Sequence, residues 1–248
     1  MPQDAAAALA RHKAEEHKIG GFQEYLKQIV YGGNDGIVTT FSVVAGFAGF
    51  GAEGAATVGG IAVLLFGLAN LFADATAMGL GEFLSSLSER DVYQAARAKE
   101  LHEIRRNADV ETAEAAEMLA ARGMAEADAE AVAAVMARNP EFMADFMMQY
   151  EIGMADPAGD APARRGMVTF LAFIALGLAP LLPYFLLEPV PRTFAVSVAA
   201  TFAALTALGL LRWRVTTQTL ARCVGETVLV GGICAAVAYG VGVAFRVA

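Results

Sequence analysis

Five stretches of this chain contain no charged residue: Gly36 to Ala52, Gly54 to Ala73, Gly166 to Leu187, Thr193 to Leu211 and Thr227 to Phe245. They hold 17, 20, 22, 19 and 19 residues. The hydrocarbon core of a bilayer is about 30 Å thick, and a helix crosses it with about 20 predominantly apolar residues. Helices of soluble domains seldom stay uncharged for so long. The pattern predicts an all-α membrane protein with five transmembrane helices. Composition agrees: 18% of residues are charged, against about 25% in ordinary soluble domains.

Charge then divides the chain into four parts. These are a polar N-terminal segment (1–21), transmembrane helices 1 and 2 (22–86), a helical insert (87–165), and transmembrane helices 3 to 5 (166–248). The net charge is −8, and the insert holds 16 of the 26 acidic residues. Met1 to Lys27 is too polar to contain the apolar core of a cleavable signal peptide. Cys223 and Cys234 lack a CxxC spacing and read as packing thiols.

Lys and Arg set the expected orientation. Sixteen of them fall in the N-terminal segment, the insert and the loop with Arg212, Arg214 and Arg222; only Arg192 and Arg246 fall on the other side. This predicts a cytoplasmic N-terminus and insert, and a C-terminus outside. No organellar address is present, and the Ala/Arg-rich style points to a bacterial inner membrane.

The insert reads as four helices. Leu87 to Asn107 continues from the second span, and Asp109 can cap a helix running to Arg122, with Gly123 as its stop. A third helix covers about Glu126 to Arg138. Asn139-Pro140 then restarts a fourth, with Pro at its first position. Asp156 to Pro162 is a breaker-rich linker. Strand patterns, phosphate loops, a GxSxG elbow and a basic nucleic-acid patch are all missing from the sequence, so neither an enzyme nor a nucleic-acid partner is expected.

Two sets of residues could carry metal chemistry. In the insert, Glu100 and Glu103 share a helix face, as do Glu111 and Glu114. Met147, Met148 and Glu151 gather on the last helix, and seven of the ten Met residues lie in the insert. Carboxylates alone suit Mg²⁺ or Ca²⁺, while added thioether sulfur shifts preference toward softer ions such as Fe²⁺. The same spacing also fits a solvated Glu face over a Met-filled core. His102 is a possible extra ligand. The HxxE or ExxH pairs of ferritin-like di-metal enzymes are absent.

In the membrane, Asp35 falls well inside a first helix starting near Phe22. A carboxylate there costs about 2.5–3.5 kcal/mol on the insertion scale, and so marks an ion or proton path. The alternative is an interfacial Asp35 that caps the helix at Gly36. On the second helix Asp74, Met78 and Glu82 follow at i, i+4 spacing, with Asn70 one turn earlier. Oxygen, sulfur and oxygen in line suit Fe²⁺ or Mn²⁺ better than an alkali ion. Asp74 and Glu82 could instead be solvated at the cytoplasmic end. Gly32, Gly33, Gly36, Gly79 and Gly81 would let the two helices approach closely. Glu226, at the entrance of the fifth span, is the remaining candidate, of unassigned role.

Four segments resemble the vacuolar iron transporter family. They are Tyr-Gly-Gly-Asn-Asp-Gly-Ile-Val-Thr-Thr-Phe from Tyr31, Ala-Asn-Leu-Phe-Ala-Asp-Ala-Thr-Ala-Met-Gly-Leu-Gly-Glu-Phe-Leu-Ser from Ala69, and Ala-Arg-Asn-Pro with Met-Met-Gln-Tyr-Glu in the insert. The likeness covers about residues 20–248. It implies a homodimer whose pore at the dimer interface is lined by the first two helices, and exchange of cytosolic Fe²⁺ for protons. Asp35 and Met78 match the family's intramembrane transport residues. Glu100, Glu103, Glu111, Glu114, Met147, Met148 and Glu151 match the ligands of its cytoplasmic metal-collecting domain. The expected function is proton-coupled export of Fe²⁺, with Mn²⁺, Co²⁺ or Zn²⁺ as further substrates and no permanent cofactor. The alternative is a membrane-anchored iron sensor or storage protein that moves no ion.

Overall fold

The computed structural model describes residues 21–50, 56–159, 161–188 and 191–246. The expected polar N-terminal segment lies outside the described residues except for Gly21. Among the described residues every regular element is helical. After a single turn at Gly21–Glu24 come α1 (Leu26–Phe50), α2 (Ala56–Arg106), α3 (Ala108–Ala121), α4 (Glu126–Ala137) and α5 (Pro140–Tyr150). A 3₁₀ turn at Pro157–Gly159 precedes α6 (Pro162–Gly177), α7 (Leu182–Leu186), α8 (Pro191–Val215) and α9 (Leu220–Arg246). Among the described residues, three helical stretches are long and apolar enough to cross a membrane: Gly60–Arg106, Arg192–Val215 and Leu220–Ala244.

Helix α2 runs unbroken through 51 residues. No proline interrupts it, and its character changes from apolar to charged without a change of backbone. The third uncharged run behaves differently. Gly166 to Leu187 was expected as one helix, but α6 stops at Gly177 and α7 resumes only at Leu182. Pro180 and Pro183 cause the break, since proline lacks an N–H and clashes with the preceding turn. The carbonyl oxygen freed at Pro180 accepts a hydrogen bond from Ser197 Oγ of α8 at 2.6 Å, and Ser197 is fully buried. Irregular backbone among apolar helices is tolerated when its polar groups are satisfied inside the protein.

Contacts divide the chain into two compact units, Phe83–Pro162 and the residues on either side of it. In the flanking unit, Ile37 packs with Leu205 and Leu208 of α8. Phe41, Val44 and Ala45 pack with Val63 and Leu181. Leu71 and Ala75 of α2 close on Phe173 of α6.

The glycines serve a different contact from the one expected. A Cβ on Gly36 would collide with the carbonyl of Phe173 in α6, and one on Gly177 of α6 would lie 2.8 Å from the Gly36 carbonyl oxygen. Backbone therefore meets backbone where α1 crosses α6. Gly32 and Gly33 also face α6, through Thr169 and Leu176, while Gly79 of α2 faces Phe170 and Gly166. Gly81 meets nothing within 4 Å among the described residues. The small residues thus admit α6 against both α1 and α2.

The second unit is built from the end of α2 with α3, α4 and α5. Ile104, Ala115, Ala133, Met136, Met143, Ala144 and Met147 form its core. Alanine on α3 and α4 lets the helices come close, and methionine fills the irregular space left between them. Asp109 was expected to cap α3, but Asn107 stands at that position and makes no side-chain cap bond. Asp109 lies instead in the first turn, where a negative charge favours the helix dipole. Pro140 opens α5 as expected, yet the Asn139 amide donates back to the Val135 carbonyl rather than capping α5.

Candidate metal sites

Two groups of side chains could meet a metal ion, one in each unit. In the flanking unit, Asn70, Asp74, Met78 and Glu82 follow one another along α2, each half-buried. Asn70 Nδ2 donates to Asp74 Oδ2 at 2.8 Å, and Gln28 Nε2 of α1 donates to Glu82 Oε1 at 2.8 Å. Met78 packs beside Leu71, Ala75 and Phe173, so its thioether flanks the α2–α6 seam. Asp35 is half-buried on α1 and close enough to Asp74 to feel its charge. Thr39 Oγ1 donates to the Asp35 carbonyl, leaving the carboxylate out of that bond. The structure thus ties α1 to α2 through the Gln28–Glu82 hydrogen bond, while Asp35 and Asp74 set two like charges near each other across the same pair of helices.

Gln28 escaped the sequence reading. It is 3% exposed, which is unusual for an amide side chain unless it is hydrogen-bonded. Its only sequence signal was a polar residue on the face of α1 that carries the glycines.

In the second unit, Glu100 of α2, Glu111 and Glu114 of α3, and Glu151 at the end of α5 influence one another electrostatically. Burial pushes Glu100 up to about 7, helped by the charges of Glu151, Glu111 and Glu114 and by a hydrogen bond with Glu111. Glu111 is raised by burial and by Glu114 and Glu103. Glu151 is raised by burial and by Glu114 and Glu111. Glu100 Oε1 is buried and has no hydrogen-bond partner among the described residues. A buried acceptor left unmatched costs about 1–3 kcal/mol.

The other expected ligands differ in placement. Glu103 accepts a hydrogen bond from Asn107 at 2.8 Å. Met147 and Met148 are fully buried, and Met147 belongs to the core. His102 is exposed. Among the described residues, no three His, Cys, Asp or Glu side chains stand close enough to hold a metal ion as they are. The carboxyl groups sense one another across three helices but are not drawn around one point.

Arg122 determines how α5 ends near this group. Its guanidinium lies 4.6 Å above the Tyr150 ring and donates to the carbonyls of Tyr150 and Met118. On another face, Arg97 of α2 donates to Asp145 at 2.6 Å and to Glu141 at 3.1 Å, and Arg105 also reaches Glu141. Glu226 sits between Arg212 and Arg222, at 3.0 and 2.9 Å. That pairing gives it a part in tying α8 to α9. Cys223 and Cys234 are free thiols.

Comparison with known proteins places these features in context. Residues 26–243 match the VIT family. Vacuolar iron transporter 1 of Oryza sativa subsp. japonica is 31% identical over 240 residues, covering 97% of this chain and 92% of that protein. Vacuolar iron transporter 1 of Arabidopsis thaliana is 32% identical over 231 residues, covering 93% and 89%. A vacuolar iron transporter of Toxoplasma gondii is 31% identical over 237 residues, covering 92% and 76%. These relatives are transporters and not enzymes. With its all-helical fold and its long apolar helices, this integral membrane protein belongs to the VIT family.

Proposed function

We propose that this chain exports Fe²⁺ from the cytosol in exchange for protons, and that Mn²⁺, Co²⁺ and Zn²⁺ are alternative substrates. The observation that carries the reading is the α2 series of Asp74, Met78 and Glu82, with Asp35 on α1 within electrostatic reach of Asp74. Carboxylates among apolar helices are expensive, and oxygen with sulfur suits a partly dehydrated transition ion. Relatives named iron transporters along nearly the whole chain support the same substrate class.

On this reading five helical passes cross the bilayer. They are α1, the apolar part of α2, α6 with α7, α8 and α9. The N-terminus and the insert face the cytosol, and two copies of the chain assemble around one pathway. The insert collects the ion through Glu100, Glu103, Glu111, Glu114 and Glu151. Met147 and Met148 contribute sulfur once their packing opens. The orphaned Glu100 oxygen supports this part, because a cation would supply the partner it lacks. Glu82, Met78, Asp74 and Asp35 then carry the ion onward. Protons arriving from the outer side compete for the same carboxylates, since ligands must be deprotonated to coordinate.

Flux in proteoliposomes with an imposed pH gradient tests the proposal. Fe²⁺ movement that follows the gradient, and that is lost in Asp35→Asn, is the expected result. Metal binding without movement in the unaltered protein would favour a membrane-anchored sensor or storage role instead.

A further inference from the structure

The two carboxylates on the α2 line share a feature that the family assignment does not supply. Each has one oxygen occupied by a neutral amide. Asp74 Oδ2 accepts from Asn70 Nδ2, and Glu82 Oε1 accepts from Gln28 Nε2, both at 2.8 Å. Only the amide nitrogen can donate to an ionised carboxylate, so the chemistry fixes which way both amides point. The two donors come from different places. Asn70 is one turn earlier on the same helix, whereas Gln28 belongs to α1 and is 54 residues away in sequence.

A neutral donor has a particular effect on a carboxylate. Lys or Arg in its place would cancel the charge, whereas an amide leaves the charge intact, occupies one lone pair of one oxygen and holds the carboxylate plane in place. The other oxygen is open to a cation, but two-oxygen chelation must turn a plane that the amide holds and share the oxygen it bonds. That distinction separates ion classes. Ca²⁺ gathers 6–8 oxygens and commonly takes carboxylates through both oxygens, whereas transition ions accept fewer donors and welcome a thioether. Between the two restrained carboxylates lies Met78, at i+4 from Asp74 and i−4 from Glu82.

We propose that Gln28 and Asn70 are specificity-determining residues, restraining Glu82 and Asp74 to one-oxygen contacts and so disfavouring Ca²⁺ relative to transition-metal ions. The inference rests on the reading that this line meets the transported ion. Gln28 is 3% exposed and held between two helices, so it enforces the restraint more rigidly than half-buried Asn70 does.

The test is Mn²⁺ uptake by proteoliposomes in rising Ca²⁺, comparing the unaltered protein with Gln28→Leu, Asn70→Ala and the double variant. Leucine removes the donor without adding a sulfur that could itself favour a transition ion, and Asn70→Ala leaves the α1–α2 contact alone should Gln28→Leu fail to fold. The Ca²⁺ concentration that halves Mn²⁺ uptake should fall by on the order of tenfold in each single variant, the scale of a lost hydrogen bond to a charged group. It should fall further in the double variant. Slower uptake with an unchanged Ca²⁺-to-Mn²⁺ ratio would show that the amides only pack the helices, and would overturn this inference alone. If the unaltered protein moved no metal, the transport reading and this inference would fall together.

Discussion

Glu100 on α2 and Glu111 on α3 bring two carboxyl groups within mutual influence, in a setting that pushes Glu100 up to about 7. A carboxyl raised in this way keeps its proton further up the pH scale than an exposed one. Burial is the largest reason that Glu100 keeps it, and the surrounding glutamates are the next.

The pH dependence follows. Glu100 titrates at about 7 in the folded protein, against an ordinary 4.5. An acid raised by folding adds stability that is complete below the unfolded value and is lost as pH rises through the folded one. Glu111 and Glu151 are raised as well and act in the same direction. The metal-free protein should therefore lose helicity of the insert at a lower temperature at about pH 8 than at about pH 5.5. Glu100→Gln should flatten that dependence in circular-dichroism melts. An undiminished slope in this variant would mean that Glu100 does not hold the proton.

Asp35→Asn should keep the fold, because the side chain stays polar and similar in shape. Gradient-driven Fe²⁺ flux should fall by at least about tenfold, since a charge-assisted contact is worth about 1.5–3 kcal/mol. Size-exclusion profiles and flux measured on one preparation check both halves.

Gly36→Ala should lower stability by about 1–3 kcal/mol, the usual cost of overpacking a filled interior. The added methyl meets the Phe173 carbonyl, which is backbone and cannot rotate aside. Gly81→Ala, with nothing within 4 Å, should have no such cost. Thermal unfolding of the two variants side by side is the measurement; equal melting would contradict the close α1–α6 crossing.

Arg122→Ala should destabilise the insert by about 1–2 kcal/mol through the lost ring contact and carbonyl bonds. It should also weaken metal binding, because Glu151 immediately follows the carbonyl that Arg122 holds. Arg122→Lys keeps the charge but not the planar fork, so it should recover less than half of the lost affinity in titration calorimetry.

Much of the fold was legible because membranes impose a simple rule. Uncharged runs marked α2, α8 and α9, and Pro140 marked the start of α5. The break between α6 and α7 was missed because a count of uncharged residues passes over Pro180 and Pro183. The neighbours of the glycines were also missed. A sequence shows that α1 is smooth at Gly36 without showing that α6 fills the notch. Glu100, Glu111 and Glu114 could be singled out by spacing, because they sit on helices of regular period. Gln28 could not, since its meaning depends on Glu82, 54 residues distant.

Met147 and Met148 expose none of their surface. Thioethers are readily converted to sulfoxides, which are polar and disrupt apolar cores. Ferrous iron in air generates oxidants able to do this. With both sulfurs sealed beneath α5, damage must wait until the helix lifts. The working life of the insert is thus timed by its own breathing rather than by the oxidant around it. Because a sulfoxide no longer fits that core, a single lesion there would leave the helix easier to lift than before.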